Sequence, residues 1–272
     1  MAATLSWRDA IPSAAGVDNQ PSQDREAILA QVSSPEAVQE ALAEVSTRME
    51  REAQEALVYA DLAYDMAQRV GMPKLLSAAA RMRGKTLRAL SRHEAAVDAL
   101  EAAARYALES GDEVLALQSR MGIVDSLGWL DRYAEAIELA HHLEEQLLVR
   151  GEMAEAAKVF VNEGNLHHRQ DNYHAALEAF DRALEMLQGR ADEAVIAQVQ
   201  VNRANALTHL NRVHEATELY EQARKVFAAR NEIRACATVD LNLGFLRYIS
   251  GEHSAAIKAF TRARNAFLSL NR

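Results

Sequence analysis

The sequence repeats itself at an interval of 40 residues, and a chain that does so folds as a row of like units and not around a single centre. Shifted by that interval, Ala56, Ala96, Ala136, Ala176, Ala216 and Ala256 fall in one column without exception. Three residues earlier stand Ala53, His93, Tyr133, Tyr173, Val213 and His253. Four later stand Ala60, Leu100, Ala140, Phe180, Tyr220 and Phe260, and seven later Ala63, Ala103, Leu143, Ala183, Ala223 and Ala263. These offsets share one face of an α-helix, so each unit closes with a helix (helix B) whose buried stripe alternates small and large side chains.

Upstream runs a column of mostly small residues, Gly84, Val124, Gly164, Ala204 and Gly244. A mid-helix glycine costs about 1 kcal/mol, so the column predicts a first helix (helix A) approached closely by a neighbour. Between the two helices lie the turn-forming pairs Ser91-Arg92, Asp131-Arg132, Asp171-Asn172, Asn211-Arg212 and Gly251-Glu252. The units are separated by Gly71, Gly111, Gly151, Ala191, Asn231 and Asn271, a column suited to the left-handed residue past a helix end. Each unit therefore reads as a helical hairpin, with boundaries near 35–71, 72–111, 112–151, 152–191, 192–231 and 232–272. The first copy has Arg51-Glu52-Ala53 in place of a turn, so Pro35 to Val70 reads as one bent or continuous helix acting as a cap. Ser34-Pro35-Glu36 supplies its start, an N-cap followed by proline at the first helical position. Residues 1–34 read as a leader, flexible to about residue 21 and then helical over 22–32, where it docks on the first hairpin. The expected fold is all-α, a right-handed α-solenoid over 35–272.

Composition narrows the function. A single cysteine, Cys236, rules out an internal disulfide or a Cys-based zinc site and makes a reducing compartment the default. The net charge of −9 and the lack of basic tracts argue against nucleic acid as partner. No long apolar run exists, and Arg8, Asp9, Asp18, Asp24, Arg25 and Glu26 stand where a signal peptide would need an apolar stretch. A cytoplasmic protein with no membrane contact is expected.

Gly164-Asn165-Leu166 through Asp171-Asn172-Tyr173, Ala176, Phe180 and Ala183 resembles the tetratricopeptide repeat, as does Leu243-Gly244-Phe245 through Gly251, Ala256, Phe260 and Ala263. The period exceeds the about 34 residues usual for that repeat, so each helix is expected to be longer by about a turn. The phrases Val201-Asn202-Arg203-Ala204-Asn205-Ala206-Leu207 and Leu241-Asn242-Leu243-Gly244 are most similar to the repeats that precede a caspase-like CHAT protease domain in bacterial proteins. That resemblance implies a sensing or recruiting arm, and any protease activity would lie outside this chain.

No constellation for catalysis stands out. Cys236 reads as a small buried residue, and the cluster His167, His168 and His174 straddles a turn with no ligand to complete a tetrahedral set. No metal, cofactor or catalytic residue is expected. Binding is better marked. On helix A, Asn162, Asn202 and Asn242 share one column, and Asn165 and Asn205 share another. Side-chain amides both donate and accept, so such a ladder suits the backbone of an extended peptide, or ties adjacent hairpins together. The family resemblance implies peptide contact at these positions. Lys85, Arg88, Trp129, Lys158, His168, Arg169, His209, Phe245 and Tyr248 flank the ladder on helix A. Together they predict a concave groove for a protein or peptide partner, with a peptide-sensing regulator as the alternative. The chain stops at a repeat boundary after Phe260, Phe267 and Leu270, so the sequence reads either as a piece of a longer protein or as one with an uncapped end that a partner contacts.

Overall fold

Left-handed turns at a spacing set by the repeat divide the chain. In the computed structural model, which describes residues 6–10, 22–49 and 52–270, Ser91, Asp131, Asp171, Asn211 and Gly251 all have φ between 56° and 80°. Gly71, Gly111, Gly151 and Asn231 do the same between units. At the turns within hairpins, the third residue past the helix donates its N–H back across the last turn. Arg92 bonds the Leu87 carbonyl, Arg132 that of Leu127, Asn172 that of His167, Arg212 that of Leu207 and Glu252 that of Arg247, at 2.8–2.9 Å. This Schellman closure satisfies carbonyls that a helix end would otherwise leave open, and it explains why the column holds Ser, Asp, Asn and Gly.

The helices so delimited are α1 (Ser22–Val32), α2 (Pro35–Arg48), α3 (Ala53–Val70), α4 (Pro73–Ala89), α5 (His93–Glu109), α6 (Glu113–Trp129), α7 (Tyr133–Val149), α8 (Met153–Arg169), α9 (Tyr173–Leu187), α10 (Glu193–His209), α11 (Val213–Ala229), α12 (Ile233–Ile249) and α13 (His253–Leu270). Among the described residues there is no strand, and the architecture is that of a helical-repeat solenoid. Most of the repeat helices have 17 residues, and two to a unit with their turns fill the 40-residue period. Helices α3 and α13 have 18, and α9 is cut short at 15. The expected left-handed residue at Ala191 is displaced to Gly189, φ 70°, because glycine two residues earlier ends the helix first. Asp192 then caps α10, its carboxylate accepting from the Ala194 N–H at 2.8 Å.

The chain forms two compact units, Met1–Ala136 and Ile137–Arg272, with the division inside α7. In the first, Leu29, Val38, Val45, Tyr59, Leu62 and Met66 are buried together. The expected single helix over Pro35 to Val70 is instead two, α2 and α3, packed on each other. Ser34 caps α2 as expected, its hydroxyl accepting from the Ala37 N–H at 3.1 Å. Leu29 of α1 is buried against this pair, so α1 docks there. Of the stretch expected to be flexible, residues 1–5 and 11–21 lie outside the described residues. Trp7–Ala10 is a 3-10 turn that buries Trp7 edge-on against Tyr59, with the indole N–H donated to Glu40 at 2.9 Å. The Asn271 position also lies outside the described residues.

The second unit is centred on Phe160, Phe180, Tyr220, Phe227 and the alanines between them. The small column of helix A earns its place here: a Cβ built on Gly164 would stand 2.5–2.9 Å from the Phe180 ring, and one on Gly244 2.6–3.1 Å from Phe260. In the first unit Gly84 meets Leu100 in the same way, at 2.6 Å. Glycine is kept because the aromatic or leucine of helix B occupies the space a side chain would need.

Two kinds of glycine should respond differently. Gly164→Ala gains up to about 1 kcal/mol in helix propensity but overpacks by about 1–3 kcal/mol, so thermal melting should show net destabilisation that Phe180→Leu relieves in the double variant. Gly111→Ala meets nothing within 4 Å, so its cost of about 1 kcal/mol is backbone strain alone. Gly111→Asn should be milder, as Asn231 occupies the same column.

Candidate binding site on the A helices

In the second unit the A helices are α8, α10 and α12, and their asparagines meet across hairpins. Residues 40 apart sit at equal heights on successive A helices, so a residue 37 ahead lies one turn lower and within reach. Asn202 Nδ2 donates to Asn165 Oδ1 at 3.3 Å, and Asn242 Nδ2 to Asn205 Oδ1 at 2.9 Å. The Tyr220 hydroxyl also donates to Asn205 Oδ1, at 2.6 Å. Tyr220 lies deep in the core, and burial pushes its phenol up to about 12. With two donors on it, Asn205 Oδ1 is saturated. Among the described residues no acceptor faces Asn205 Nδ2 and no donor faces Asn242 Oδ1. These two amides are thus half used as staples and half open.

Both asparagines line a cavity of about 410 Å³, together with His168, Thr208, His209, Tyr220, Leu241, Phe245 and Phe260. That volume falls in the range of ligand pockets, about 300–1,000 Å³. Two of the lining residues belong to a cluster of three rings: His209 stacks on Tyr173 at 4.5 Å, and His168 meets both edge-on at 5.2 and 5.3 Å. Burial, followed by the neighbouring His209 charge, lowers the His168 imidazole below its usual range, with Asp171 opposing. Its Nε2 is buried without a hydrogen-bond partner. Leu241, Phe245 and Phe260 supply its apolar lining. No carboxylate lines the cavity. Neutral amide groups together with apolar surface suit a peptide backbone carrying an apolar side chain.

Of the residues singled out in the sequence, His168, Asn205, His209, Asn242 and Phe245 come together here. Asn165 and Asn202 form the adjoining staple, and Asn162 and Arg169 lie half-buried on α8 beside it. Lys158 is paired with Glu155 at 2.6 Å. Tyr248 packs near His253, with ring centres 5.7 Å apart, and does not line the cavity. Lys85, Arg88 and Trp129 belong to the first unit. There Arg88 is held by Asp125 at 2.6 Å, Trp129 stacks on His93 at 5.7 Å, and Lys85 is exposed on α4. Sequence reasoning passed over Thr208, Tyr220, Leu241 and Phe260. The signal for Tyr220 was a hydroxyl in a column otherwise apolar.

The remaining candidates for chemistry are otherwise engaged. Burial raises the Cys236 thiol, whose Sγ lies 3.8 Å from the Arg224 carbonyl oxygen. His167 and His141 both approach Glu163, at 3.7 and 3.4 Å. Among the described residues no three His, Cys, Asp or Glu side chains are placed to hold a metal ion, and no helix is long and apolar enough to cross a membrane.

Comparison with known proteins agrees with this architecture. A tetratricopeptide repeat model matches residues 157–186. No curated protein sequence matches the chain. Among solved structures, the apo form of RapI superposes with a TM-score of 0.68 at 15% identity, covering 92% of this chain and 90% of that one. The Rap conjugation gene regulator of plasmid pLS20, in complex with the Phr* peptide, gives 0.67 at 13% identity, covering 96% and 80%. BtubC from P. vanneervenii gives 0.61 at 17% identity, covering 86% and 92%. At these identities the likeness is one of fold.

His168 makes stability depend on pH. Its folded value lies below the unfolded one, so its contribution is complete above about pH 6.5 and is lost as the pH falls further. Melting temperatures recorded between pH 7.5 and 5 should decline less steeply for His168→Gln than for the wild type.

Proposed function

We propose that this chain is a non-catalytic protein-interaction module that holds an extended peptide, or an extended segment of a partner protein, against the A helices of its second unit. The observation that carries the reading is the pairing of half-open amides, Asn205 and Asn242, with the apolar wall of Leu241, Phe245 and Phe260 in one cavity. Backbone amides of an extended chain pair with side-chain amides whatever the sequence, while the apolar wall selects a side chain. The likeness to a Rap regulator solved with a bound peptide supports the same use of the fold. It also favours a second reading, a peptide-sensing regulatory protein, in which occupancy of this cavity is the signal. The sequence resemblance to repeats that precede CHAT proteases makes recruitment to such a protease the narrower form of the first reading. A lone, unactivated cysteine fits action in the cytoplasm.

Peptides selected by display against the wild-type chain provide the test. Replacing Asn205 and Asn242 together by Ala removes two hydrogen bonds of about 1 kcal/mol each, so capture should weaken about 30-fold. Because the same amides staple α10 to α12, melting is measured alongside, and Phe245→Glu blocks the cavity while leaving both amides in place. Undiminished capture by a folded Phe245→Glu variant rules this site out.

A further inference from the structure

The last turn of α8 adds a ring to a contact that the repeat makes elsewhere with two. The first residue of a helix B meets the last residue of the next helix A: His93 stacks on Trp129 in the first unit, with ring centres 5.7 Å apart, and Tyr173 on His209 in the second, at 4.5 Å. The second pair carries His168 as well, edge-on to both members. In the column of His168 the other copies have Arg88, Gly128, Thr208 and Tyr248. Arg88 bonds Asp125 and Thr208 bonds the Ala204 carbonyl, whereas His168 Nε2 is buried with no hydrogen-bond partner.

That placement suits a neutral imidazole and not a charged one. With both nitrogens protonated, Nε2 carries a charged N–H that no acceptor meets, and a buried charge without a partner costs far more than a buried neutral ring. The charges around the ring do not repair this. His209 of α10 and Arg169 of α8 oppose the proton, while Asp171, in the turn to α9, favours it but already accepts the Tyr173 hydroxyl at 2.5 Å. Helices α11, α12 and α13 present only Tyr220, Leu241, Asn242, Phe245 and Phe260 to the cavity, none of them a carboxylate. Burial, then His209, holds the imidazole below its usual range.

We propose that His168 is a proton-operated gate on the cavity: the neutral ring keeps its place in the wall and admits a peptide, and protonation turns it out of the wall and releases the peptide. This regulation rests on the cavity being the peptide site proposed above. A bound peptide takes water from the ring and so lowers its affinity for a proton further; by reciprocity, a proton lowers the affinity for peptide by the same factor. The segment held there carries no acidic side chain beside His168, since a carboxylate at that point would reverse the sign.

The probe is a peptide from the display selection that lacks Asp, Glu and His, amidated at its C-terminus and labelled at its N-terminus with tetramethylrhodamine, so that it does not itself titrate between pH 7.5 and 5. Its anisotropy with the full chain gives a Kd at each pH, with circular dichroism recorded alongside to show that the helices persist. The Kd should rise by at least about threefold from pH 7.5 to 5. The same ratio, taken within each variant, should be near one for His168→Phe and His168→Gln, whatever their affinity at pH 7.5, and should persist in His209→Gln. A wild-type ratio of one or below, or a rise that survives both His168 variants, overturns the gate and leaves the peptide site standing. Absence of saturable binding at pH 7.5 overturns both.

Discussion

The left-handed turn that closes each helix from α3 to α12 is the constraint on which the rest of this structure depends. It stops helices at nearly constant length, and only helices of constant length keep residues 40 apart at equal heights. Equal heights bring Asn242 to Asn205 and Asn202 to Asn165, and set glycines of helix A against the large residues of helix B. A turn shifted by one residue would rotate every later side chain by about 100° and scatter those pairs. The turn tolerates Ser, Asp, Asn or Gly because a short polar side chain or none can occupy the left-handed region.

Much of this was legible in the sequence, because a repeat reports its own geometry several times over. The columns of Ala176 and Phe180, the small residues at Gly164 and Gly244, and the turns at Asp171 and Gly251 each state one fact about packing. Legibility failed where a copy departs from its siblings. Pro35 to Val70 has no turn residue of the usual kind, and its break into α2 and α3 depends on tertiary packing. Trp7 sits in a stretch rich in Pro, Ser and Asp, and its burial rests on Tyr59 and Glu40, more than thirty residues ahead.

The site was legible by residue type more than by role. The asparagine columns were evident, but whether they bind a ligand or tie hairpins together depends on which atoms of each amide are taken. In the structure one half of each of Asn205 and Asn242 is used internally. Charged candidates such as Arg88 and Lys158 turned out to have acids beside them, Asp125 and Glu155, that a column reading does not weigh. Tyr220 illustrates the converse, a residue filed under core packing whose hydroxyl organises the cavity wall.

The early stop at Gly189 has an energetic meaning of its own. In a linear array, stability is a sum of units and of the seams between neighbours, so cooperativity is only as strong as its weakest seam. Around Gly189 the helix end is closed by short bonds from Arg190 and Ala191 to a single carbonyl, that of Leu187, without the longer return bond that closes α4 to α8 and α10 to α12. Local opening is drawn toward such a place. It lies between the hairpin that carries His168 and the one that carries Asn205, so fluctuations at this seam would alter the spacing of the cavity walls while both hairpins stay folded.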